Sequence, residues 1–85
     1  MKKLIEDNYQ SIVNRGLITA QTNERDFILK LEEEVQEFIE AVNFSMKHEP
    51  EELADIILVC LNYANHYNID IEHELKRKIE INKSR

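Results

Sequence analysis

The sequence predicts an all-α fold, a short four-helix chain that forms an oligomeric helical bundle. Three observations carry that expectation. Gly and Pro each occur once in 85 residues, while Glu, Lys, Leu, Ile and Ala are abundant, a composition that favours helix. Apolar residues recur at helical spacing through four successive segments. One of those segments is apolar almost all round, more surface than so short a chain can cover by itself. Residues 1–85 are read as a single domain. A chain of this size buries only about 60–65% of the surface its unfolded form exposes, so partner chains, a metal or very regular packing must add stability.

The first helix is expected from about Lys3 to Asn14, with Leu4, Ile5, Ile12 and Val13 as apolar positions and Gly16 as the stop. RGLITAQTN then connects, and Thr22 or Asn23 is placed to cap the second helix. That helix is expected from about Glu24 to Lys47. Its apolar face comprises Phe27, Ile28, Leu31, Val35, Phe38, Ile39, Val42 and Met46. Pro50 suits a first helical turn, where its missing amide is not needed, and the third helix is expected from about Pro50 to Tyr67. Between Leu53 and Ala64 only Asp55 and Asn62 break its apolar character. Asp70 is the expected cap of the fourth helix, and Ile71, Leu75 and Ile79 mark its buried side.

The formal net charge of −6 argues against nucleic acid as a partner, because phosphate contacts need a basic surface. The segment MKKLIEDNYQ is acidic within its first turns and does not read as a signal peptide. No stretch approaches the roughly 20 apolar residues of a membrane span. A soluble cytoplasmic protein, with no membrane partner, is therefore expected. Cys60 is the only cysteine, which excludes an intrachain disulfide and a cysteine-based zinc site. Its apolar neighbours predict a small core residue.

The acidic run Glu32, Glu33, Glu34 and Glu37 divides once it is placed on a helix. Taking Phe27 as zero and about 100° per residue, Glu34 falls at about 340°, abutting the apolar face, and Glu37 at about 280°, one helical turn from Glu34 on the same side. Glu33, at about 240°, and Glu32, at about 140°, turn toward solvent. On the third helix Glu52 and Asp55 are three apart and share a face with Val59. An aspartate in an apolar helix is costly unless it is paired or holds a cation. Asp55 therefore either pairs with Lys30, Lys78 or Arg85, or helps bind metal. Two carboxylate pairs on adjacent helices can converge, and four oxygen donors without a soft ligand suit Mg²⁺ or Mn²⁺. None of the three histidines sits in a Glu-x-x-His motif, which argues against a di-iron bundle and makes His66 and His73 surface or rim residues. Lys78, Asn82 and Arg85 recur at i, i+4 and i+7. They either meet anionic oxygens or simply complement the helix dipole.

EEVQE (Glu33 to Glu37) and ELAD (Glu52 to Asp55), separated by a short helix-breaking turn and followed by KIEINKSR, resemble the EExxE and ExxD signature and basic last helix of the all-α nucleoside triphosphate pyrophosphohydrolases, the MazG-like group. The resemblance covers about Phe27 to Arg85. It implies Mg²⁺-dependent hydrolysis of an NTP or dNTP to the monophosphate and pyrophosphate. By that resemblance Glu34, Glu37, Glu52 and Asp55 would be the metal ligands. Glu33 would orient the attacking water or act from behind the ligands. Lys78, Asn82 and Arg85 would contact phosphates, with Lys30 at the rim. The resemblance also implies a dimer or tetramer whose sites are completed at subunit contacts. With no tryptophan in the chain, Phe27, Phe38, Tyr63 and Tyr67 are the rings available to stack on a base. Two other readings remain open from the sequence: a non-catalytic acidic helical interaction protein, and a phosphoribosyl-ATP pyrophosphohydrolase.

Overall fold

Helix boundaries in this chain follow from its capping chemistry. In the computed structural model, which describes residues 2–44 and 47–85, four helices occur: α1 (Lys2–Asn14), α2 (Glu24–Asn43), α3 (Glu49–His66) and α4 (Ile71–Lys83). No strand occurs among the described residues. Helix α1 ends in a left-handed Gly16 (φ 75°). The Gly16 and Leu17 amides donate to the Val13 and Ile12 carbonyls, which would otherwise lack partners. Helix α3 closes the same way, with Asn68 (φ 55°) in the left-handed position and the Ile69 amide donating to the Ala64 carbonyl at 2.8 Å.

Of the two candidate caps before α2, Asn23 is the one used. Its side chain accepts from the Asp26 amide, and the Asp26 carboxylate accepts in return from the Asn23 amide, a reciprocal capping box. Asp70 caps α4 as expected, accepting from the His73 amide. Helix α2 does not reach Lys47: Asn43 is its last residue, Phe44 its C-cap, and Lys47 and His48 lie in a turn. The physical reason is that α3 starts earlier than expected, at Glu49, with the His48 carbonyl accepting from the Glu52 amide. Met46, assigned from sequence to the apolar face, lies outside the described residues.

Packing is concentrated between α2 and α3, with α1 laid against α3; α4 makes no comparable contact with any described helix. Ile5, Ile18, Phe27, Ala41, Val59, Leu61 and Ala64 form the buried apolar set. Helix α2 presents Phe27, Glu34 and Ala41 inward, one every seven residues, with Ala41 only 1% exposed. Its expected apolar face is thus rotated. Ile28, Val35, Ile39 and Val42 are left more than a third exposed, as are Leu53 and Ile57 on α3 and Leu75 and Ile79 on α4. Cys60, expected in the core, is exposed because α4 does not cover that side of α3.

His66 is also placed differently from expectation. It sits within an aromatic cluster with Phe27, Tyr67 and Tyr9. The Thr22 carbonyl can only accept, so His66 Nε2 donates to it at 3.0 Å, and in the neutral ring Nδ1 accepts from the Tyr9 hydroxyl at 2.7 Å. This histidine ties α1 and the α1–α2 connection to α3.

The radius of gyration is 14.5 Å, against about 12 Å expected for a compact domain of this length. The accessible surface of 6533 Å² exceeds by roughly 1,200 Å² the area expected for a compact monomer of this mass. Both values reflect the outlying α4 and the uncovered apolar faces of α2 and α3.

Candidate metal centre

The turn of α2 that carries Glu34 is pressed against the first turns of α3, so a carboxylate occupies a position where packing would ordinarily place leucine. Glu34 is 6% exposed. One of its oxygens, Oε1, accepts from Lys30 Nζ at 3.0 Å, and Lys30 also lies 3.7 Å from Glu33 Oε1. The other oxygen, Oε2, is buried with no hydrogen-bond partner among the described residues, and so is Oε2 of Glu52. A buried carboxylate oxygen left unpaired is strongly disfavoured in a folded protein. Two of them, on residues whose carboxylates approach within 4.8 Å, point to a missing positive partner.

The convergence is direct. Carboxylate oxygens of Glu34, Glu52 and Asp55 lie within 4.8 Å of one another, as do those of Glu33, Glu34 and Glu37. Glu34 belongs to both groups. The five acidic residues singled out from sequence thus fall into two groups joined at Glu34, one along α2 and one between α2 and α3. Glu33 is exposed, in accord with the helical wheel, yet its carboxylate still reaches the cluster along the helix surface.

Electrostatics report the same crowding. The charge of Glu34 is the first cause holding the Glu37 carboxyl above its usual range, followed by desolvation. Desolvation is the first cause raising the Asp55 carboxyl, then the charges of Glu34 and Glu51, with Lys30 acting in the opposite sense. The Lys30 ammonium is raised chiefly by its hydrogen bond to Glu34. Asp55 forms no ion pair among the described residues, so the sequence alternative in which a basic side chain neutralises it is not realised within this chain. One lysine balances five carboxylates. That donor set, all oxygen with two oxygens unsatisfied, is compatible with a hard divalent cation.

Lys78 and Asn82 on α4 and Arg85 just beyond it are exposed, and neither Lys78 nor Arg85 forms an ion pair with these carboxylates. The chain alone does not bring its last helix to the acidic cluster. Two further residues escape a reading of the sequence. His48 Nε2 lies 3.6 Å from Glu52 Oε1, a neighbour detectable from its i, i+4 spacing. Asn62, noted only as an interruption of α3, is 8% exposed and accepts from Asn8 Nδ2 at 2.7 Å; that pairing joins residues 54 apart and has no local signal. None of the described helices is long and apolar enough to cross a membrane.

Neither the curated proteins nor the solved structures include a match to this chain. The sequence profile of the MazG nucleotide pyrophosphohydrolase domain matches residues 21–85, which hold α2, α3, α4 and the whole carboxylate cluster. With that match spanning most of its length, the chain belongs to the MazG nucleotide pyrophosphohydrolase domain family.

Proposed function

We propose that this protein hydrolyses a nucleoside triphosphate, NTP or dNTP, to the monophosphate and pyrophosphate, using Mg²⁺ held by Glu34, Glu37, Glu52 and Asp55, with Mn²⁺ as a substitute. The observation that carries the reading is the pair of buried, unpartnered oxygens on Glu34 and Glu52, two members of the group that Asp55 completes. When bound there, the cation supplies positive charge against the phosphate oxygens and favours deprotonation of the attacking water. Glu33, exposed beside Lys30, orients that water. Lys30 holds Glu34 in place and stands at the edge where phosphates enter.

Lys78, Asn82 and Arg85 are the phosphate-contacting groups in this reading, and they reach the cluster of another subunit. The support is the uncovered apolar surface on α2, α3 and α4, together with a surface excess of roughly 1,200 Å² over a compact monomer. A standard protein interface buries about 800 Å² per partner. The protein is accordingly a homo-oligomer, dimer or tetramer, acting on the cytoplasmic nucleotide pool.

A pyrophosphate-release screen tests the reading, run across canonical and modified NTPs, dNTPs and phosphoribosyl-ATP with Mg²⁺ or Mn²⁺. Release from at least one triphosphate, lost on chelation and in Glu37→Gln, is the expected result. A folded, metal-loaded oligomer inert toward the whole panel would refute it. Light scattering reads the assembly state directly.

A further inference from the structure

Glu34 is shared by both carboxylate groups, and Lys30 Nζ lies 3.0 Å from its Oε1, one helical turn back along α2. The two partners differ in freedom. The Glu34 side chain is only 8% exposed, whereas that of Lys30 is 53% exposed and carries its charge on a flexible four-carbon stem. Lys30 also lines a cavity of about 350 Å³ between α1, the α1–α2 connection, α2 and α3, so its ammonium has space to move into. Any exchange of partners at this pair is made by Lys30 moving away from a fixed Glu34.

We propose that Lys30 is a resident counter-ion, holding Glu34 in the metal-free protein and displaced from it when a divalent cation binds, and that the released ammonium then meets a triphosphate oxygen. The proposal rests on the metal and nucleotide reading above and deepens it by giving that site a phosphate contact gated by metal. Two arguments carry it. An ammonium and a dication against one carboxylate repel at twice the strength of two unit charges, and Glu34 is buried where little water screens them. The charge of Glu34 that now holds Lys30 is the charge a cation would take up, because Oε2 of the same carboxylate is buried without a partner among the described residues. Glu33, 3.7 Å from the same ammonium and itself 58% exposed, is the remaining acidic neighbour of a displaced Lys30. An exposed pair of that kind holds a lysine weakly and leaves it available to phosphate. Lys30 is thus a positioning residue for Glu34 in one state and a substrate-binding residue in the other.

Calorimetric titration of Mg²⁺ into the full-length wild type and Lys30→Met separates displacement from simple support. Competition predicts that Lys30→Met binds Mg²⁺ about tenfold more tightly, the scale of one hydrogen bond to a charged group. Unchanged or weaker binding overturns the proposal. Arg25→Met removes an exposed charge five residues away on the same helix, and an equal gain there would reduce the effect to net charge and overturn it as well. With pyrophosphate as the probe in saturating Mg²⁺, Lys30→Met should bind about tenfold more weakly than wild type; equal binding refutes the phosphate contact. In a structure of the Mg²⁺-loaded wild type, Lys30 Nζ should stand clear of Glu34, and an intact pair would overturn the exchange without recourse to any variant. If Lys30→Met does not fold, Lys30→Gln, which keeps a donor but not the charge, carries the same expectations. Failure of Mg²⁺ to bind any of these proteins would remove the metal reading together with this one. Tighter Mg²⁺ binding in Lys30→Met without cleavage of any triphosphate by wild type would leave the exchange standing and remove the hydrolytic reading alone.

Discussion

Replacing Asp55 by asparagine is expected to raise the stability of the metal-free protein and to abolish its response to magnesium. Oxygens of Glu34, Glu52 and Asp55 lie within 4.8 Å of one another. At that separation each like-charge pair repels by about 1 kcal/mol in a water-like dielectric and by about 3–4 kcal/mol at an effective dielectric of about 20. Asp55 is half-buried, and Lys30, which bonds Glu34, offsets part of the repulsion. The surviving gain from removing the Asp55 charge is about 1 kcal/mol, placing the midpoint of thermal unfolding about 4–8 °C higher for a chain of this size. Saturating cation reverses the order: at a hundredfold excess over its dissociation constant it adds about 2.7 kcal/mol to the wild type, and the variant lacks one of the ligands needed for that gain. Circular-dichroism melts at fixed protomer concentration, in chelator and in Mg²⁺, measure both effects. An asparagine variant that is less stable than wild type in chelator, or that gains as much from Mg²⁺, would refute the idea that this cluster is a charge-strained cation site.

Further outcomes arise from the same geometry. The Glu37 and Asp55 carboxyls are raised in the folded state, so their stabilising contribution is complete below the ordinary carboxylate range and is lost as pH rises through the raised values. Melts in chelator should therefore show a lower midpoint at neutral than at mildly acidic pH, with Mg²⁺ flattening the difference. Lys30→Met removes the cation paired with Glu34 among the described residues and should destabilise the metal-free protein by about 1–3 kcal/mol. Chemical denaturation should show most of that loss recovered in saturating Mg²⁺. The Tyr67 phenol is pushed up to about 12, first by its hydrogen bond to Glu24 and then by desolvation. An alkaline absorbance titration should show a late-ionising tyrosine that disappears in Tyr67→Phe and moves down in Glu24→Gln.

Much of this architecture can be read from local chemistry. The Gly16 stop, the Asp70 cap and the split of the acidic run into inward Glu34 and outward Glu33 all depend on spacing within a turn or two, which sequence records directly. Glu33 shows the limit of a wheel, which gives the direction of a side chain but not the reach of a long one. Such a side chain can leave solvent-facing backbone and still bring its carboxylate to a cluster. The centre of α2 packing is not legible to a wheel on which every apolar residue faces inward. Glu34 and Ala41 occupy that stripe instead, and Ile28, Val35, Ile39 and Val42 are left outside. Cys60 departs from expectation for the related reason that its cover is not supplied by α4. His66 and Asn62 depend on partners 57 and 54 residues away, and nothing in their immediate sequence announces them.

Two neighbouring residues of α1 grip α3 one turn apart, Asn8 at Asn62 and Tyr9 at His66. Helix α1 lies wholly before residue 21, where the family profile begins, whereas every carboxylate of the cluster lies after it. The chain is therefore divided along its length into a portion that defines the family and holds the acidic centre, and an N-terminal arm that walls the adjoining cavity. Substitutions in the arm can reshape that wall without touching a carboxylate. The contacts that fix α1 on α3 are thus independent of the residues that hold the acidic centre.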